Sequence, residues 1–162
     1  MSYVQRKSLR LTDYDYNANG VYFLTFCTRN KEKLLGNVVG DGDPDVPQVQ
    51  LSDYGKVVDQ YVQSVDRLNY VKLLHYVVMP NHVHMLVQID TTDLEFTSDG
   101  ANAAIPRMIS VLKRLCNKQI GENIFQRSYH DHVVRNEADF LRIWEYIDTN
   151  PQKWNMDKYF MA

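Results

Sequence analysis

The sequence predicts an α+β fold, a ferredoxin-like antiparallel sheet packed with helices, on three observations. Two strand-like runs, VKLLHYVVM and HVHMLVQI, are separated only by Pro80-Asn81, a break short enough to imply an antiparallel hairpin. Apolar stripes at helical spacing lie on either side of that hairpin. Strand-like runs precede the first stripe and follow the second, giving the order strand, helix, hairpin, helix, strand, helix. At 162 residues, 44% hydrophobic and 23% charged, the chain is expected to form one compact domain over residues 1–162.

The first strand is residues 20–28, GVYFLTFCT, dense in aromatic and β-branched residues and entered through the turn signal Asn19-Gly20. Both of its alternating faces are largely apolar, which marks a central strand covered on both sides. Residues 36–50, GNVVGDGDPDVPQVQ, read as an excursion or loop carrying a short strand around Val38. Ser52 can cap a helix whose inward stripe is Val57, Val58, Tyr61, Val62 and Val65. After the hairpin comes an acidic loop, about residues 90–103. A helix then starts near Ile105, with Pro106 tolerated in its first turn. Its buried face is Ile105, Met108, Ile109, Leu112, Cys116 and Ile120. Residues 125–134 read as a further strand. Asn136 caps the last helix, with Glu137 and Asp139 favourable in its first turn. That helix should stop at Asn150, because Pro151 disfavours helical geometry in the residue before it.

Composition excludes several classes. No apolar run approaches the ~20 residues needed to span a bilayer, and the N-terminus lacks the apolar core of a signal peptide, so a cytoplasmic protein is expected. Cys27 and Cys116 are too few and too separated for a disulfide framework, and read as buried free thiols. A formal charge of −2 and a pI near 6.2 argue mildly against nucleic acid as partner. The charge is unevenly spread, however. Arg6, Lys7, Arg10, Arg29, Lys31 and Lys33 cluster early, and Arg107, Lys113, Arg114, Lys118, Arg127 and Arg135 lie in the second half. Acids gather at Asp41, Asp43 and Asp45 and at Asp90, Asp93, Glu95 and Asp99.

The sharpest chemical feature is His82-Val83-His84 inside a strand. Alternation puts both imidazoles on one face, where they can chelate a divalent cation with a third ligand from elsewhere. For a bare His-x-His the commoner meaning is two polar residues on a solvent face. Here the following Met85, Leu86, Val87 and Ile89 are apolar on both faces, which weakens that meaning. His130-Asp131-His132 is an equal candidate by spacing, but no matched nucleophile follows it. His132 could orient a neighbour or hold phosphate. His75, alone on an apolar strand, reads as a satisfied core histidine. On the last helix Phe140, Ile143, Trp144 and Ile147 form the core stripe. Tyr146 and Asn150 then sit one turn apart on its flank, where a phenol and an amide can face one spot. With 11 tyrosines in the chain, ordinary packing is the competing role for Tyr146.

The run PNHVHMLV resembles the His–hydrophobic–His signature of the HUH endonuclease superfamily. Residues 125–153, FQRSYHDHVVRNEADFLRIWEYIDTNPQK, resemble the REP-associated tyrosine transposases and the related one-tyrosine insertion-sequence transposases. YFLTFCTRNK and Leu34-Leu35-Gly36 fit the same family's first strand, so the resemblance covers most of the chain. It implies Tyr146 as nucleophile, His82 and His84 as ligands of Mg²⁺ or Mn²⁺, and Asn150 as third ligand. It further implies single-stranded or hairpin DNA as partner, a homodimer or a monomer, and a metal-dependent endonuclease and strand transferase working through a 5′-phosphotyrosine. A tyrosine with pKa ≈ 10 must pass its proton to an acceptor, water or a side chain, as it attacks. Lys113, Arg114, Arg127, Tyr129, His132 and Arg135 are candidate DNA contacts, set against a solvated charged face and, for Tyr129, core packing. Two competing functions are a binding-only relative of the same fold and a metal-dependent hydrolase with no covalent step.

Overall fold

Nine strands and helices follow in chain order in the computed structural model, which describes residues 19–40, 47–92 and 103–161. They are β1 (Gly20–Cys27), β2 (Gly36–Val39), β3 (Gln48–Leu51), α1 (Asp53–Gln63), β4 (Val71–Val78), β5 (His82–Ile89), α2 (Ala104–Ile120), β6 (His130–Val134) and α3 (Glu137–Thr149). The early basic residues Arg6, Lys7 and Arg10 and the acidic groups at 41–45 and 93–99 lie outside the described residues. The principal sheet has four strands in the order β4-β5-β1-β6, every pair antiparallel. Setting the β2–β3 hairpin aside, this is the β-α-β-β-α-β arrangement of ferredoxin-like folds, as the sequence predicts.

β1 is central, and the alternation of its side chains builds two different faces. Tyr22, Leu24 and Phe26 join Val83, Met85, Val87 and Ile89 of β5 in one core, closed by Val58 and Val62 of α1 and by Ile105, Met108, Ile109, Leu112 and Cys116 of α2. Residues of opposite parity, Val21 and Phe23 with Leu86, pack instead against Phe140, Ile143, Trp144 and Ile147 of α3. Burying such side chains contributes about 1.5–3 kcal/mol each, which is why the stripes legible in sequence become the helix-facing surfaces. Both caps form as predicted: Ser52 accepts from the Gly55 amide at 3.0 Å and Asn136 from the Asp139 amide at 2.8 Å.

Four expectations need adjustment. The excursion holds two strands: β2 has a partner, β3, and Gly36 allows their close approach, since a Cβ there would stand 2.4 Å from the Gln50 carbonyl oxygen. α1 ends at Gln63, and Val65 lies in a 3-10 turn, Ser64–Arg67. The last strand is shorter than residues 125–134. Phe125 makes only an isolated bridge to Thr28, and the carbonyls of Gln126 and Ser128 are taken by the Lys113 ammonium rather than by a neighbouring strand. His75 is satisfied but is not core. Its side chain is 25% exposed, bonded to Asp148 at 2.6 Å and stacked on Trp144 at 4.2 Å. Cys27 and Cys116 are buried free thiols, and among the described residues no helix is long and apolar enough to cross a membrane.

After α3 the chain turns back across the end of the sheet. A 3-10 turn, Trp154–Met156, leads into a strap whose Trp154 and Tyr159 pack with Cys27 and Met79, and Val38 and Val49 of the small hairpin brace the same cluster. This strap forms one wall of the site described next.

Candidate active site

The period-2 geometry of β5 puts His82 and His84 on the α3 side, and both side chains are buried. Each imidazole is held at Nδ1. His84 Nδ1 lies 2.6 Å from Thr25 Oγ1, its register partner on β1. His82 Nδ1 lies 2.8 Å from Asn81 Oδ1. The Asn81 amide has no freedom to turn, because its Nδ2 donates to the carbonyls of Tyr159 at 2.7 Å and Lys31 at 3.1 Å. Its oxygen therefore faces His82, which must carry its proton on Nδ1 and leave the Nε2 lone pair bare. Burial lowers the His82 pKa to about 4, with the Asp157 carboxylate pulling the other way. Burial, then the neighbouring His82, takes His84 well below the usual imidazole value. Both rings are thus neutral near pH 7, the state in which imidazole ligates metals.

Asn150, the C-cap of α3, is buried, and its side chain adjoins His82 and Tyr146. Its Nδ2 donates to Asp157 Oδ2 at 3.0 Å. Nε2 of His82, Nε2 of His84 and Oδ1 of Asn150 are all buried without a hydrogen-bond partner. Buried polar atoms are almost always satisfied, so three unpaired polar atoms in one place form a group suited to a cation. A carboxylate stands beside these atoms, since ligand atoms of His82, His84 and Asp157 lie within 4.8 Å of one another.

Tyr146 stands next to this cluster, its ring 5.2 Å from His84 and edge-on to Phe23 at 6.0 Å. Burial, then the Asp157 charge, raises its phenol above the ordinary value, so it is protonated at neutral pH. It lines an open pocket of about 640 Å³ together with Thr25, His84, His130, His132, Arg142, Lys158 and Tyr159. The pocket wall thus combines the nucleophile candidate with a surplus of cationic and imidazole groups.

The second histidine pair lies on the same sheet, with Thr25 of β1 opposite both His84 and His130. Among the described residues it does not form a second metal-binding group. His130 is exposed, and His132 is bonded to Asp139 at 2.8 Å, which in turn pairs with Arg142. His132 accordingly orients the entry to α3.

The candidate DNA contacts divide between two places. Lys113, Arg114, Arg127 and Tyr129 line a separate cleft of about 650 Å³ beside α2. His132 lines the Tyr146 pocket, and Arg135 is exposed at the β6–α3 turn. Lys113 is not on an outer face. It is half-buried, ties α2 to the carbonyls of Gln126 and Ser128, and lies 5.8 Å above the Phe26 ring. Tyr129 is 4% exposed, so its ring packs in the core and offers no free face for a base. Thr25, Asn81, Asp157 and Tyr159 were not singled out from sequence. Thr25 becomes legible only with the β1–β5 register, and Asp157 and Tyr159 only with the path of the strap.

A family model described as "Transposase IS200 like" matches residues 19–150. An uncharacterized protein of Haemophilus influenzae is 29% identical over 174 aligned positions, 96% of this chain and 93% of that protein. A second Haemophilus influenzae protein, provisionally named a REP-associated tyrosine transposase, is 20% identical over 86% of this chain and 74% of its own length. Among solved structures, a REP-associated tyrosine transposase bound to a REP hairpin superposes with a TM-score of 0.61 at 22% identity. That likeness covers 98% of this chain and 77% of the other, and shows a common fold.

Proposed function

Given that the chain belongs to the IS200-like transposase family, we propose that it is a metal-dependent enzyme that nicks and rejoins single-stranded DNA at hairpins or palindromes, acting in the cytoplasm through a phosphotyrosine on Tyr146. The observation that carries this reading is the trio of bare, buried polar atoms on His82, His84 and Asn150 beside the only tyrosine of α3. In this reading those three residues hold the ion. Mg²⁺ or Mn²⁺, when bound, polarises the scissile phosphate and offsets charge developing on its oxygens.

The chain's own residues do the rest. The Tyr146 oxygen attacks phosphorus as its proton passes to an acceptor, water or a side chain, and one proton is returned by the same route to the leaving 3′ oxygen. The bond from phosphorus to the 3′ oxygen breaks, and that oxygen leaves as a 3′ hydroxyl. The 5′ phosphate stays on Tyr146 as an ester of similar energy, so the hydroxyl of a second DNA end can displace the tyrosine and reseal the strand. His130, Arg142 and Lys158 at the pocket mouth supply positive or protonatable groups to a polyanion, consistent with local rather than net charge guiding it. Arg114 and Arg127 in the cleft beside α2 are proposed to contact flanking phosphates.

The test is incubation with pooled 5′- and 3′-labelled single-stranded hairpin oligonucleotides and Mn²⁺, followed by a denaturing gel and mass mapping of adducts. The pool includes palindromes flanking the gene. The expected result is an adduct on Tyr146, lost with chelator and in Tyr146→Phe. Metal-dependent cleavage with no adduct would instead identify a non-covalent hydrolase, and hairpin binding without cleavage a binding-only protein.

A further inference from the structure

An asparagine amide has two ends of nearly equal size and opposite chemistry, and in this site the difference decides whether a cation can enter. Turned one way, Asn150 offers Oδ1 beside two bare imidazole nitrogens. Turned over, its NH₂ group would donate to the bare Nε2 of His82, a neutral acceptor. The site would then close on itself with its lone pairs consumed. What separates the two states is the group that the other end of the amide meets, a carboxylate that itself stands within 4.8 Å of ligand atoms of both histidines. That group is Asp157 Oδ2, which accepts from Asn150 Nδ2 at 3.0 Å. An ionised carboxylate only accepts, so a reversed amide would set oxygen against oxygen. Asn150 Oδ1 is left buried and without a partner, in a side chain that adjoins His82.

Asp157 is itself anchored. Its Oδ1 accepts from the Tyr159 amide at 2.8 Å, and its carbonyl accepts from the Phe160 amide at 3.0 Å. The strap that carries it is held by the buried rings of Trp154 and Tyr159 against Cys27 and Met79. The same strap supplies the Tyr159 carbonyl that fixes the Asn81 amide and, through it, the proton of His82. We propose that Asp157 is a positioning residue that keeps the oxygen end of Asn150 turned to the imidazoles and so prevents the metal site from sealing itself. This rests on the metal reading above and assigns Asp157 a place behind a ligand rather than on the ion.

Mn²⁺ affinity, measured by titration calorimetry and by the electron paramagnetic resonance of free Mn²⁺, tests it on the full chain. The proteins are the wild type, Asp157→Ala and Asn150→Asp/Asp157→Ala, with a crystal structure of the Mn²⁺-loaded wild type alongside. Asp157→Ala should bind Mn²⁺ about 10–100-fold more weakly, the usual cost of losing such a supporting partner. The double variant should recover most of that loss, because a carboxylate at 150 presents oxygen in either orientation. In the crystal, Asn150 Oδ1 should lie on the metal and the Asp157 carboxylate outside it. A carboxylate of Asp157 on the ion, or a double variant as weak as the single one, would overturn the proposal. The wild-type crystal decides this even if Asp157→Ala does not fold. Unchanged affinity in Asp157→Ala would overturn this inference alone, whereas a wild type that binds no Mn²⁺ would overturn the metal reading with it.

Discussion

The two faces of β5 are built from neighbouring residues and have opposite characters. Val83, Met85, Val87 and Ile89 point into a core closed by α1 and α2, and all four are apolar and fully enclosed. His82 and His84, one residue away in each case, point toward α3 and leave bare polar atoms inside the protein. The first face lowers the free energy of folding by burial, and the second gives some of that back to hold reactive groups ready. A strand can do both because its side chains alternate, so chemistry on one face need not disturb packing on the other.

Four experiments would break or sharpen this contrast. The largest effect is expected from Tyr146→Phe, which should cut covalent adduct formation and strand cleavage by at least about a thousandfold. Its melting temperature should hardly change, and residual adduct mapped to Tyr159 would show that the nucleophile has been misassigned.

Next in size is a matched pair on β5. Met85→Ala should lose about 2–5 kcal/mol of stability in denaturant titrations while the folded fraction keeps its Mn²⁺ affinity. His84→Leu should do the reverse. It should abolish Mn²⁺ binding yet melt close to the wild-type temperature, since removing the unsatisfied Nε2, worth about 1–3 kcal/mol, offsets the partner lost by the Thr25 hydroxyl. If both variants weakened Mn²⁺ binding alike, the two faces would not be separable.

A smaller contrast concerns the cleft beside α2. Arg114→Ala and Arg127→Ala should each reduce the slope of log affinity for hairpin DNA against log salt by about one, with no change in melting. Lys113→Met should instead lose about 1.5–3 kcal/mol of stability, because its ammonium satisfies two carbonyls. Unchanged salt slopes in both arginine variants would remove the cleft from the DNA path.

The smallest effect is electrostatic, at the start of α3. Hydrogen bonds from His132 and then Arg142 lower the Asp139 pKa from 3.8 to about 2. A carboxylate whose pKa is depressed on folding stabilises the protein above its unfolded value and loses that contribution as pH falls through the folded one. The melting-temperature gap between wild type and Asp139→Asn should therefore be constant above about pH 5 and close between pH 4 and 2. A gap that kept its full size at pH 2 would show that Asp139 acts through packing and not through charge.

Much of this was legible before any coordinates. The hairpin followed from a two-residue break, the helix faces from apolar spacing, and both N-caps from Ser52 and Asn136. The pairing of Tyr146 with Asn150 followed from one helical turn of separation. What misled was in most cases a long-range partner. Lys113 read as solvent-facing because its two carbonyl acceptors come from a loop 13 and 15 residues away. Residues 125–129 read as strand because their composition is strand-like, although a side chain takes their carbonyls. His75 read as core because its strand is apolar, while its ring in fact meets Asp148 and Trp144 at the protein edge.

Periodicity and capping are local, set by residues within a turn or a pleat of one another, and so the sequence by itself determined the element order, the faces and the His-x-His with its tyrosine. Only the tertiary structure decided which lone pairs stay bare. Thr25, Asn81 and Asp157 reach the site from a register, a turn and a strap that no local pattern specifies. Their hydrogen bonds choose the tautomer of His82 and the orientation of Asn150, which depend on atoms far apart in the chain and a few ångströms apart in space.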